Sequence, residues 1–366
     1  MRITEQLHML GQSLWLDNIT RGLLDQGTLS RYINEYSVTG LTSNPTIFDK
    51  AIESTRLYDD AIREKAASGK SGEALFFELA LEDLTRAADL FRPVYDATAG
   101  IDGWVSLEVS PLLAQETAAT ISAAADLHGQ AQRPNLFIKI PGTPEGIPAV
   151  EEAVFAGVPV NVTLLFSREH YLAAAGAYMR GLERRIAAGL DPAVGSVASL
   201  FVSRWDAAVA KHAPGDLRNR LGIAVARQTY KAYRDILLTP RWRRLADAGA
   251  RPQRLLWAST GTKDPGAPDT LYVDALAAPD TINTVPEQTL HAFAEHGRVG
   301  GALAADGGDA EAVLSEFARA GIDTTALAGQ LQREGTLAFD KSWNDLMACI
   351  VAKQIELGNT AAKGRR

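Results

Sequence analysis

The sequence predicts an α/β protein, a single (β/α)8 barrel with extra C-terminal helices, and three observations carry that prediction. Short apolar, β-branched runs alternate with longer stretches of helical period, the pattern of parallel βα units. Eight such runs can be read, enough to close a barrel. The length, 366 residues, suits one barrel with added helices. A doubly wound open sheet is the alternative, but no GxGxxG follows a strand, which weakens a dinucleotide-binding sheet.

In chain order, the strands are read at 13–17 (SLWLD), 38–43 (VTGLTS), 104–108 (WVSLE) and 136–140 (LFIKI). The second half supplies 160–165 (VNVTLL), 194–202 (VGSVASLFV), 254–259 (RLLWAS) and 281–285 (TINTV). Several end on a polar residue followed by Pro or Gly, as strands do where they open into loops. Between them, 73–91 places Leu75, Leu79, Leu84 and Leu90 near one helical face. Ser167 caps the helix after the fifth strand, with Glu169 in its first turn and Asp191-Pro192 closing the region. A second long helix is expected over 216–238, and a helix over 287–295 follows the eighth strand.

Past Gly307-Gly308 three further helical segments are expected, the last over 337–357, covering the barrel with one as a partial lid. The small, polar tail 358–366 is expected to fray. With no repeat, linker or low-complexity tract, 1–366 reads as one domain, the barrel over about 11–300 and the helical extension over about 301–357.

Hydrophobic residues at 46% and charged residues at 22% give ample material for a core. A net charge of −7 argues against nucleic-acid or membrane-surface partners, so an anionic substrate requires a local cluster of cations. The single cysteine, Cys349, excludes an intramolecular disulfide and fits a reducing cytoplasm; its apolar neighbours Met347, Ala348, Ile350 and Val351 suggest packing. The N-terminus MRITEQLHML has no signal-like apolar run, and no later segment could span a bilayer. The six histidines lack ligand spacing, so neither a metal nor another cofactor is expected.

One residue breaks the pattern. Lys139 sits inside the apolar run Asn135-Leu136-Phe137-Ile138-Lys139-Ile140-Pro141-Gly142. Burying an unpaired ammonium is costly, so such a lysine tends toward the neutral amine, a nucleophile for carbonyls. The bland reading is a strand-end lysine that reaches solvent or pairs with a carboxylate. Residues two apart share a strand face, which groups Ser106 with Glu108 and Asn161 with Thr163. Asp17, Asn44, Glu108, Lys139, Asn161 and Thr163 therefore take corresponding places on five strands, at the ends where barrel enzymes keep their chemistry. Singly, Asp17 or Asn44 could be a cap, Glu108 a surface carboxylate and Thr163 a β-former. Six in register point to a site.

The segments Thr42-Ser43-Asn44-Pro45-Thr46, Phe137-Ile138-Lys139-Ile140-Pro141 with Glu145-Gly146 behind, and Asn161-Val162-Thr163-Leu164-Leu165-Phe166-Ser167 closely resemble transaldolase. The likeness runs from about residue 14 to 285, and the stretch from Ala258 to Lys263 resembles the longer bacterial branch. The resemblance implies a transferase of the non-oxidative pentose phosphate pathway. Such an enzyme moves a dihydroxyacetone unit from sedoheptulose 7-phosphate to glyceraldehyde 3-phosphate, giving erythrose 4-phosphate and fructose 6-phosphate. It further implies that Lys139 forms an imine with the ketose, that Glu108 and Thr163 hold a proton-relaying water, and that Asp17 is the general base. Asn44, Asn161 and Ser199 would bind the hydroxyls of the intermediate. In Ser199-Leu200-Phe201-Val202-Ser203-Arg204, Arg204 would grip phosphate and Phe201 line the pocket.

A cation in a helix first turn is mildly unfavourable, which fits a functional Arg204, and guanidinium suits bidentate phosphate binding. The chain departs from the shorter relatives after Ser259, where Thr260-Gly261-Thr262-Lys263 replaces a second arginine. Lys263 is the nearest cation to fill that place, assisted by backbone N–H groups around Gly261; its bland reading is a loop lysine facing water. Small sugar phosphates are the implied partners, and either a monomer or a homodimer is compatible. The alternatives are a fructose 6-phosphate aldolase-like lyase, a non-covalent phosphosugar isomerase and a phosphosugar-binding module. The lyases are shorter and carry tyrosine at the place of Glu108. The other two leave Lys139 idle.

Overall fold

The computed structural model describes the backbone of residues 1–363 and the side chains of residues 1–358. Its strands are β1 (Gln12–Leu16), β2 (Val38–Leu41), β3 (Trp104–Glu108), β4 (Leu136–Pro141), β5 (Val160–Leu165), β6 (Ser196–Phe201), β7 (Arg254–Ala258) and β8 (Thr281–Val285). All pair in parallel in sequence order, and β1 closes on β8 from Gln12↔Thr281 to Leu16↔Val285. That closure removes the open-sheet alternative. Every strand residue is buried, because helices cover the outside and side chains fill the inside. The strands are shorter than expected at several ends. In consequence Asp17 and Ser259 follow immediately after β1 and β7, and Asn44 lies three residues past β2.

The N-terminal pole is sealed by Trp15, Trp104 and Phe137, the last two stacked at 3.9 Å between ring centroids. Gly40 is required beneath them, since a Cβ there would lie 2.6 Å from the Trp15 ring. A cavity of 260 Å³ opens at this pole beside Asp102 and Arg254. Its charges are already engaged: Arg254 donates to Ser13 Oγ at 2.6 Å and Thr281 O at 2.8 Å, and Trp15 Nε1 donates to Asp102 at 2.8 Å.

The outer helices largely follow the expected pattern. Helix Gly72–Ala97 runs one turn or more past the expected end at 91, carrying Tyr95 onto Trp104 at 5.1 Å. Leu75, Leu79 and Leu84 are buried and Leu90 partly so. Ser167 caps helix Arg168–Ala187, accepting from His170 N at 3.1 Å. The expected helix over 216–238 is divided into a short 3-10 turn, Gly215–Leu217, and helix Leu221–Leu238. Its start is set from another helix: the Asp206 carboxylate accepts from Leu221 N at 2.9 Å and Gly222 N at 3.2 Å. Burial pushes that carboxyl up to about 6, even with Tyr272 donating to it.

Beyond helix Glu287–His296, two helices rather than three are present among the described residues: Ala310–Arg319 and the 40-residue Thr324–Lys363. The segment expected at 337–357 is the second half of the longer one. No proline interrupts it, and packing of buried Trp343 and Leu346 supports its middle. Helical backbone continues through the tail read at 358–366 as far as Lys363; residues 364–366 lie outside the described residues. This helix crosses the C-terminal mouth of the barrel. Trp343 meets Phe76 edge-on at 5.2 Å, Thr46 Oγ1 bonds Ser342 Oγ at 2.8 Å, and Gln332 reaches the ends of β4 and β5. The expected partial lid is this helix.

Candidate active site

Strand register assembles the candidate residues. β3 sets Glu108 level with Lys139, and β5 sets Asn161 level with Lys139 and Thr163 level with Pro141. Lys139 Nζ donates to Glu108 Oε2 at 3.2 Å and Ser43 O at 3.3 Å, and the two residues are 6% and 4% exposed. Lys139 therefore does not reach solvent. It does pair with a carboxylate, and that carboxylate is another member of the candidate set. Burial raises the Glu108 carboxyl above its ordinary range, Lys139 opposes the rise, and Asp17 adds to it. Glu108 Oε1 and Thr163 Oγ1 are buried without a hydrogen-bond partner among the described residues. Buried polar atoms of this kind are sites for a bound water or substrate oxygen.

Thr163 owes its position to an irregularity. The β5–β6 register shifts between Val162 and Leu165, and Leu164 has φ 58°, left-handed backbone that a bulky residue rarely adopts. Such a conformation costs on the order of 1–3 kcal/mol, offset here by the packing around it, and a bulge re-aims its neighbours. Asn161 ties three strands together: its Nδ2 donates to Ser106 Oγ at 3.1 Å and its Oδ1 accepts from Ser199 Oγ at 2.7 Å. It stands behind the cavity wall, whereas Ser199 lines the cavity.

Asp17 is half-buried, with Oδ1 accepting from Thr42 Oγ1 at 2.8 Å. Because Thr42 spends its proton there, Thr284 is the donor in the 2.7 Å contact between the two threonines. Burial raises the Asp17 carboxyl, against Lys139, the Thr42 hydrogen bond and Lys263. Asn44 caps a helix and also lines the cavity: Oδ1 accepts from Ile47 N at 3.2 Å, which leaves Nδ2 for the cavity. Arg204 lies in the first turn of helix Ser203–Val209, 5.3 Å from the Phe201 ring. Burial lowers its pKa and Glu334, on the C-terminal helix, opposes that. Ser259 has φ 55° and places its Oγ 3.0 Å from Ser203 Oγ. Lys263 is exposed and on the cavity wall.

The cavity measures 340 Å³ and is lined by nine of the eleven candidates, with Glu108 and Asn161 behind it. Sequence reasoning missed four lining residues of chemical interest: Thr42, Lys50, Thr284 and Phe339. Lys50 carried a signal, since Thr46, Ile47 and Lys50 fall on one face of helix Pro45–Ser54, the helix that Asn44 caps. Phe339 carried none, being brought in by the C-terminal helix. Lys50, Lys139, Arg204 and Lys263 make this a local positive cluster on a negative chain. Among the described residues, no group of three or more His, Cys, Asp or Glu could hold a metal, and no helix is long and apolar enough to cross a membrane.

Fold and cavity together define a (β/α)8-barrel enzyme with its polar residues at the C-terminal mouth. Residues 14–350 match the family model described as Transaldolase/Fructose-6-phosphate aldolase. The chain is 47% identical to a transaldolase of Parafrankia sp. (strain EAN1pec), covering 97% of this chain and 98% of that one. It is 45% identical to a transaldolase of Saccharopolyspora erythraea (94% and 96% covered) and 43% identical to one of Thiobacillus denitrificans (96% and 100% covered). The chain belongs to the transaldolase/fructose-6-phosphate aldolase family.

Proposed function

We propose that the protein moves a dihydroxyacetone unit from sedoheptulose 7-phosphate to glyceraldehyde 3-phosphate through a Schiff base on Lys139. Transaldolase activity itself, a transferase activity of the pentose phosphate pathway, follows from the full-length likeness to transaldolases. The products are erythrose 4-phosphate and fructose 6-phosphate, the enzyme is cytoplasmic, and it acts as a monomer or homodimer. The same reading takes 1–366 as one domain, since the C-terminal helix buries Trp343 and Leu346. The observation that carries the mechanism is a buried lysine level with a buried carboxylate, opening on a cavity ringed by cations.

In this mechanism the Lys139 amine adds to the ketose carbonyl. Glu108 Oε1 and Thr163 Oγ1, both without a protein partner, hold the water that carries protons during carbinolamine formation and dehydration. Asp17 removes the proton from the hydroxyl beside the breaking C–C bond, and the aldose product leaves. The enamine that remains is held by Asn44 and by Ser199, which Asn161 orients. The acceptor aldehyde then enters and the steps reverse. Arg204 and Lys263 hold substrate phosphate, and Ser259 presents its hydroxyl beside them.

The direct test is formation of fructose 6-phosphate from sedoheptulose 7-phosphate, dependent on added glyceraldehyde 3-phosphate. Release of free dihydroxyacetone at the same rate without acceptor would favour the lyase reading. Glu108→Gln is expected to slow imine formation and release on the order of a hundredfold while leaving sugar-phosphate affinity nearly intact. Full turnover in that variant would take Glu108 out of the mechanism. Lys263→Ala is expected to raise KM for phosphorylated substrates more than it lowers kcat, because a phosphate grip acts on ground and transition states alike. A charge-assisted contact is worth roughly 1.5–3 kcal/mol, so kcat/KM falls on the order of ten- to a hundredfold. Equal losses on unphosphorylated analogues would assign Lys263 a role in loop structure instead.

A further inference from the structure

The C-terminal helix presents Gln332, Gly335 and Phe339 to the barrel at helical spacing. Gln332 is buried and donates Nε2 to two main-chain carbonyls, Gly142 O at 2.9 Å and Leu164 O at 3.0 Å. Those carbonyls belong to the ends of the strands that carry Lys139 and Thr163, and Leu164 is the residue in left-handed backbone. Gly335 permits the close approach: a Cβ there would meet Leu164 Cδ2 at 3.0 Å. One turn further on, the Phe339 ring centroid lies 5.5 Å from Lys139 Nζ and 6.5 Å from the Phe201 ring. Phe201 packs in turn on Phe166 at 5.2 Å.

We propose that Phe339 is a specificity-determining residue that favours transfer over hydrolysis by covering the Lys139 intermediate with an apolar π face. The proposal rests on the Schiff-base reading given above. Loss of the intermediate to water follows a balanced path. The enamine carbon takes a proton to give the iminium, water adds at the iminium carbon and gives up a proton, and the C–N bond to Nζ breaks. Free dihydroxyacetone leaves and the Lys139 amine is restored.

Two physical properties of the ring oppose that path. It offers no lone pair or N–H to hold a water, and it excludes water from the volume it fills. Its π face also attracts the positive charge of the iminium, whose nitrogen is Nζ itself, and so opposes the addition of water that would remove that charge. An aromatic wall of this kind has no bearing on a reversible aldol exchange with a bound acceptor, provided the acceptor enters from the open side of the cavity. The ring is carried on a helix clamped by Gln332 rather than on a loop, so its height over Nζ is set by the strands that carry the chemistry.

The test compares the full chain with Phe339→Leu, which keeps apolar bulk without a π face, and with Phe339→Ala. Two readouts are taken: dihydroxyacetone released per fructose 6-phosphate formed, and the borohydride-reduced adduct on Lys139 by peptide mass. The release-to-transfer ratio is expected to rise on the order of tenfold in Phe339→Ala and by less in Phe339→Leu, with the adduct still on Lys139. An unchanged ratio in Phe339→Leu, with both rates falling together, overturns the proposal and leaves Phe339 as packing, whether or not Phe339→Ala folds. Absence of an adduct in the unaltered chain removes the Schiff-base reading itself, a different failure.

Discussion

Lys139→Arg is expected to abolish turnover, by on the order of 10⁴-fold or more, in a protein that still folds. Guanidinium stays protonated in proteins and cannot add to a carbonyl. It can still donate to Glu108, the buried carboxylate that Lys139 reaches at 3.2 Å, so the substitution does not leave that charge alone. The larger side chain adds overpacking of about 1–3 kcal/mol, which lowers Tm by several degrees without unfolding the barrel. Coupled turnover and a thermal melt check both halves. Retained turnover in the folded variant would move the nucleophile elsewhere.

Asp17→Asn is expected to lower kcat by roughly 10²- to 10⁴-fold, the range for loss of a positioned general base. The amide keeps the shape and an oxygen to accept from Thr42, but it cannot take a proton. The imine forms before Asp17 is needed, so borohydride should still trap the donor sugar on Lys139 in this variant. The pH profile carries the same claim. In the proposed mechanism the active form of Asp17 is the carboxylate, and burial raises its pKa above that of an ordinary aspartate. Activity should therefore fall with decreasing pH at a higher pH than an exposed aspartate would give, and Asp17→Asn should lose that limb. An acid limb unchanged in Asp17→Asn would assign it to another group, Glu108 being the nearest candidate since burial raises it too.

The parts legible in the sequence were those that depend on local period. Alternation along Trp104–Glu108 and Val160–Leu165 put Glu108, Asn161 and Thr163 inside a barrel, and parallel register then brought two of them level with Lys139. Asp17, Asn44 and Ser259 were legible because they follow strand ends, even though the strands stop earlier than read. The roles assigned to these residues came from resemblance rather than from spacing.

What escaped was tertiary. The start of helix Leu221–Leu238 depends on Asp206 reaching its first N–H groups from another element, which no local signal at 216–221 announces. Leu164, in left-handed backbone, accepts from Gln332 and lies against Gly335, both far away in the chain. The last expected segment, 337–357, is the second half of one helix, whose buried side chains run from Leu331 through Phe339, Trp343 and Leu346 to Leu357. That helix carries the Phe339 ring centroid to within 5.5 Å of Lys139 Nζ.

The measurement that bears most directly on the account is reduction of the unaltered protein with borohydride in the presence of fructose 6-phosphate, followed by mass mapping of the labelled peptide. The account predicts one adduct per chain, on Lys139, formed only with a ketose donor and accompanied by loss of activity. A label on Lys50, Lys263 or any other lysine, or fully active protein from which no adduct can be trapped, would contradict it.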